Sequence, residues 1–105
     1  HWAAIEDCAL ILTTGGTGLA PNDLTPEATR AVIEREAPGI AEAMREASRA
    51  HTANWMLSRG VAGVRGGTLI VNFPGSPRSI EQAGAGSVDA LPHALDVLAG
   101  RVRAH

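Results

Sequence analysis

The chain has 105 residues, of which 45% are hydrophobic and 19% charged, with a formal net charge of −2. At this length folding hides only about two thirds of the surface an unfolded chain exposes, so one domain with a small core is expected and disorder is not. The charge balance and the 3% aromatic content give no basic field and few stacking platforms, and no apolar run is long enough to cross a bilayer, so neither nucleic acid nor membrane is expected as a partner.

Residues 1–7 place Trp2 and Ile5 three apart without a start signal, which reads as the tail of an interrupted helix. A strand is expected over residues 8–13. Its single cysteine, Cys8, has no partner in the chain and reads as a buried thiol, compatible with a reducing compartment. Ala9 to Leu12 run apolar without interruption, as in a parallel strand buried on both faces, and then give way to Thr13-Thr14-Gly15-Gly16-Thr17-Gly18. Residues 19–24 hold Pro21, Asn22 and Asp23, the chemistry of a loop. Thr25-Pro26-Glu27 then offers an N-cap, a proline in the first turn and an acid beside it, so a helix is expected from Thr25 to about Ala37, closed by Pro38-Gly39.

Ile40, Ala43, Met44 and Ala47 lie on one face of a second, amphipathic helix. Residues 50–59 lack a clear period and read as a loop with about one helical turn. Residues 61–65 and 68–73 read as strands around Gly66-Gly67, a hairpin. The second of them carries Leu69-Ile70-Val71 and empties into Asn72-Phe73-Pro74-Gly75-Ser76-Pro77, with Ser76 as the cap of a further helix. Gly84 and Gly86, each costing on the order of 1 kcal/mol against Ala, should keep that helix short. A last helix runs from about Pro92 to Gly100 with Leu91, Ala94, Leu95 and Leu98 toward the core, followed by a loose tail.

The chain thus twice places an apolar strand before a glycine-containing loop and a helix. If the two strands are parallel, both loops lie at one edge of the sheet, where backbone N–H groups can approach an anion without obstruction, so a phosphate-bearing ligand is expected. Asp23 has two readings: a carboxylate that holds a metal ion bridging ligand phosphates, or the side chain of an Asx turn. Glu27 reads equally as a first-turn helix acid. The four histidines show no metal-ligand spacing with one another or with Cys8, which disfavours zinc. The glycine loop lacks the Gly-Lys-Ser/Thr ending of a P-loop, which excludes a P-loop ATPase.

Four ordered stretches carry a resemblance: Thr13 to Gly18, Asp23-Leu24-Thr25-Pro26-Glu27-Ala28-Thr29, Leu57-Ser58-Arg59-Gly60, and Asn72 to Pro77. Together they resemble the MogA/MoaB-type molybdenum cofactor biosynthesis domain, also found in gephyrin and plant Cnx proteins. The resemblance implies an α/β fold, three-layer α/β/α with a mostly parallel sheet, in a cytoplasmic and commonly homotrimeric protein that binds molybdopterin. In adenylyltransferase members the phosphate of molybdopterin attacks the α-phosphorus of Mg-ATP, giving adenylylated molybdopterin and pyrophosphate. On the matching positions, the resemblance implies that Asp23 is the functional acid and a Mg2+ ligand, and that Thr14, Gly15, Gly16, Thr17 and Gly18 form the ligand-binding glycine loop. Pro74, Gly75 and Ser76 form the pterin-side loop, with Thr25, Glu27 and Ser58 as further binding residues. Family domains begin with a strand, an acidic loop, a helix and another strand before the glycine loop. This chain has none of these, so residues 1–105 are expected to form a partial, N-terminally truncated domain. The alternatives are a non-catalytic molybdopterin-binding or trimerising module of the same fold, and a related domain of molybdenum insertion or competence-damage proteins.

Overall fold

The computed structural model describes residues 9–85 and 87–100. Strands β1 (Leu10–Thr14), β2 (Arg35–Glu36), β3 (Ala62–Arg65) and β4 (Thr68–Phe73) form one sheet in the spatial order β1-β4-β3-β2. All of β4 is buried, as befits an apolar strand flanked on both edges and covered on both faces. It pairs in parallel with β1, Leu10 opposite Leu69 and Thr14 opposite Phe73. It pairs antiparallel with β3 across the Gly66-Gly67 turn, where Gly66 takes a φ of +57°.

Strand alternation sorts the helices into two outer layers. Leu69, Val71 and Phe73, with Ala62 and Val64 of β3, face α2 (Pro38–Ser48), α3 (Pro77–Gly84) and α4 (Leu91–Leu98), and Met44, Ala83, Leu95 and Leu98 complete that core. Full burial of Leu69 and Val71 stabilises by roughly 1.5–3 kcal/mol each. The opposite face carries Ile70, Asn72 and Gly63 and receives α1 (Thr25–Val32) and the residue after it, Ile33. A Cβ on Gly63 would sit 2.5 Å from Ile33 Cδ1 and 2.8 Å from the Arg35 carbonyl oxygen, so that approach requires glycine. The three-layer α/β expectation therefore holds. The described sheet is mixed rather than mostly parallel, because the β3–β4 hairpin and the return strand β2 both pair antiparallel.

Several boundaries differ from the sequence expectation for physical reasons. The first helix stops at Val32 instead of near Ala37. Ile33 is extended, and the N–H groups of Glu34 and Ala37 donate to the carbonyls of Val64 and Ala62 at 2.7 and 2.8 Å, so pairing with β3 overrides helix propensity. Pro38 opens α2 rather than closing α1, at the position where a missing N–H is tolerated. Thr25 is the first helical residue and not the N-cap, which is Leu24 without a side-chain bond. The expected turn in residues 50–59 is a 3-10 helix, Ala53–Leu57, capped by Thr52 Oγ1. Ser76 caps α3 as expected, its Oγ accepting from the Ser79 N–H at 3.1 Å, and α3 ends at Gly84. The first strand begins at Leu10, while Cys8, the expected helix tail in residues 1–7, Gly86 and the tail 101–105 lie outside the described residues. Among the described residues no helix is long and apolar enough to cross a membrane.

Candidate functional site

The parallel ladder delivers the two loops to one rim. Gly15 N–H donates to the Phe73 carbonyl at 2.9 Å, which extends the β1–β4 pairing into the loops. A Cβ on Gly75 would lie 3.3 Å from Gly15 Cα, so the two glycines touch backbone to backbone. Gly15 and Gly16 both have positive φ, +83° and +72°, the left-handed region that favours glycine. The turn is tight: the Gly16 carbonyl accepts from the Thr25 N–H at 3.1 Å, and a Cβ on Gly16 would fall 2.2 Å from Thr25 Oγ1. Among the described residues, the N–H groups of Gly16, Thr17, Gly18, Gly75 and Ser76 find no intramolecular acceptor. Backbone donors left in this way beside two strand ends suit an anion.

Two side chains hold the rim from beneath and beside it. Asn72 is only 3% exposed, and both ends of its amide are hydrogen-bonded. Its Nδ2 donates to Thr13 Oγ1 and Thr29 Oγ1, both at 2.9 Å, and its Oδ1 accepts from the Val61 N–H at 3.1 Å. It thereby fastens β1, α1 and the entry to β3 together. Arg59 reaches the glycine loop from the other side, with Nε–H donating to the Gly18 carbonyl at 2.8 Å and a guanidinium N–H to Glu27 Oε2 at 2.6 Å. That hydrogen bond is the main reason Glu27 is held below the usual carboxylate range, and Glu27 in turn raises Arg59. Sequence reasoning placed Asn72 and Arg59 within matching stretches but gave neither a role.

The expected site residues fall into three groups. Thr14, Gly15, Gly16, Thr17, Gly18, Thr25 and Gly75 are gathered at the rim. Asp23 and Glu27 lie on the Arg59 side. Asp23 Oδ2 accepts from the Ala20 N–H at 3.0 Å, and the Asp23 N–H donates back to the Ala20 carbonyl at 2.9 Å; the side chain thus closes the turn before it rather than forming an Asx turn, and Oδ1 is left without a partner among the described residues. Ser58 and Pro74 instead line a cleft of about 380 Å3 between α2, the 3-10 helix and α3. Ser76 serves as the α3 cap and does not line it. Met44 and Ala83 form the apolar part of the cleft, and Trp55, Arg78 and Gln82 contribute polar and aromatic groups. Arg78 has no partner among the described residues. The volume lies within the roughly 300–1,000 Å3 usual for small-molecule sites.

Among the described residues no three of His, Cys, Asp or Glu gather to hold a metal ion. The donor set fits Mg2+ in its usual form, in which one or two carboxylates act together with substrate phosphates, and Asp23 Oδ1 is the group that would hold it.

Two backbone-rich loops thus meet at the carboxyl ends of parallel strands, beside a cleft, the place where α/β domains commonly hold small ligands. The family model described as "Probable molybdopterin binding domain" matches residues 2–93, and the chain belongs to that molybdenum cofactor biosynthesis family. It is 43% identical over 93 residues to a molybdopterin adenylyltransferase of Helicobacter pylori strain J99, covering 89% of this chain and 53% of the relative. It is 49% identical over 83 residues to the molybdopterin adenylyltransferase of Escherichia coli K12, covering 79% of this chain and 43% of the relative. Among solved structures, a molybdopterin biosynthesis enzyme MoaB from Thermus thermophilus superposes with a TM-score of 0.87 at 55% identity, covering 94% of this chain and 62% of that one. The chain therefore spans about half the length of the bacterial relatives it matches.

Proposed function

We propose that this chain carries the ligand-holding part of a molybdopterin adenylyltransferase, which transfers AMP from ATP to the phosphate of molybdopterin and releases pyrophosphate. The reading rests above all on the contact of Gly15 with Gly75, which joins two sets of uncommitted N–H groups at one rim. Attack on an α-phosphorus asks little covalent chemistry of a protein. It asks for alignment of the two phosphates and for neutralisation of charge, and fixed backbone donors supply both without reorganising.

In this reading Gly16, Thr17 and Gly18 hold the nucleotide phosphates and Gly75 and Ser76 the phosphate of the pterin, with the pterin itself in the cleft beside Ser58, Pro74 and Trp55. Mg2+ held by Asp23 would offset phosphate charge. A cytoplasmic homotrimer is part of the same reading, and sedimentation of the chain tests the assembly. The similarity to adenylyltransferases of two bacteria supports catalysis over the scaffold alternative.

Pyrophosphate release from Mg-ATP in the presence of molybdopterin, compared between this chain and Asp23→Asn, tests the proposal. The expected result is at least about a hundredfold loss in the variant with molybdopterin binding retained. Equal release from both would remove Asp23 from the chemistry, and molybdopterin binding without release from either would leave a binding module.

A further inference from the structure

Arg59 is committed to more of the site than any residue the proposed chemistry uses. Its Nε–H donates to the Gly18 carbonyl, and its terminal N–H groups donate to both Glu27 carboxylate oxygens, at 2.6 and 3.4 Å, and to the Asp23 carbonyl. Its own backbone N–H donates to the Thr17 carbonyl at 2.7 Å. One residue thus touches both the glycine loop and the loop that carries Asp23, across 36 to 42 positions of sequence. Its neighbours Ser58 and Gly60 line the cleft, and Arg45 from α2 donates to the Gly60 carbonyl at 2.9 Å. Residues 58–60 are therefore fastened to the glycine loop on one side and to the cleft wall on the other.

We propose that Arg59 is the positioning residue that fixes the separation between the glycine loop, with Asp23, and the cleft, and that Glu27 acts as its anchor rather than as a ligand contact. Only a planar fork can serve carbonyls on two loop segments and a carboxylate at once. A lysine at this position keeps the charge but has one nitrogen to share among acceptors that lie in different directions. Losing the fork releases residues 17–27 from their fixed relation to the cleft, and a misplacement of about 1 Å is enough to cost on the order of a hundredfold in a reaction that depends on alignment. The consequence for catalysis rests on the reading given under Proposed function; the geometric claim does not.

The test uses Arg59→Lys and Glu27→Gln in the full chain, with two readouts. By calorimetry, Arg59→Lys should weaken affinity for ATP with Mg2+ about tenfold and leave molybdopterin affinity within about twofold, with Glu27→Gln showing the same pattern more weakly. By amide hydrogen exchange, Asp23 and Thr25 should exchange at least about tenfold faster in Arg59→Lys while Val71 is unchanged. Unchanged affinities and unchanged exchange at Asp23 and Thr25 would overturn the proposal. So would a parallel loss of both affinities together with faster exchange at Val71, which would mean general destabilisation. If the parent chain binds neither ligand, the functional reading fails and exchange alone decides: selective acceleration at Asp23 and Thr25 upholds the positioning role, and its absence ends it.

Discussion

The glycine-loop rim and the α2–α3 cleft meet at residues 58–60 and are built in opposite ways. At the rim, backbone conformation is fixed by polar groups that arrive from distant parts of the chain, Asn72 from beneath and Arg59 from the side, and their hydrogen-bonding capacity is largely spent. In the cleft, the shape comes from packing around Met44 and Ala83, while Arg78 remains without a partner among the described residues. The difference assigns separate tasks. On the proposed reading, the rim would be set before a ligand arrives and present backbone donors, whereas the cleft would keep side chains available for the ligand itself.

The sharpest way to break the contrast is to remove the rim's buried support. Asn72→Ala leaves the Val61 N–H without its side-chain acceptor and strips a bond from both Thr13 and Thr29, so a loss of about 2–4 kcal/mol in urea denaturation is expected. Phosphate-ligand binding should weaken with it, since the same amide aligns the strand end with α1. The cleft should respond in the reverse sense. Arg78→Ala should change stability by less than about 0.5 kcal/mol, as for an exposed side chain without partners, yet weaken molybdopterin binding about tenfold in a titration.

The smallest effect expected is on pH dependence. Because Arg59 lowers the Glu27 pKa in the folded chain, the clasp contributes fully above the ordinary glutamate range and is lost as pH falls through the depressed value. Both groups reach solvent, so the effect should be local: faster exchange at Thr25 below that range, absent in Glu27→Gln, with little movement of the global transition.

What could be read in advance follows from how local each signal is. The hairpin at Gly66-Gly67, the Ser76 cap and the glycine run after β1 are specified by neighbouring residues, and each appears where the sequence places it. The parallel pairing that unites the loops follows from two uninterrupted apolar strands. The over-long first helix shows the limit. Residues 33–37 suit a helix locally, and only the carbonyls of Ala62 and Val64, far along the chain, draw them into a strand. Asn72 and Arg59 escape notice for the same reason. Asn72 looks like the polar end of a strand and Arg59 like a loop cation, and their partners on Thr13, Thr29, Gly18 and Glu27 become visible only when the sheet has closed. β1, expected to be buried on both faces, instead stands at the edge of the described sheet with Leu12 51% exposed, while β4, flanked by β1 and β3, is wholly buried.

That the two loops act as one seat can be read directly from backbone amide shifts of the 15N-labelled chain titrated with ATP and Mg2+ and then with molybdopterin. The resonances of Gly16, Gly18, Gly75 and Ser76 should move together while Gly66, in the hairpin turn at the other end of β4, stays in place. Movement confined to one loop, or largest at Gly66, would contradict a shared seat.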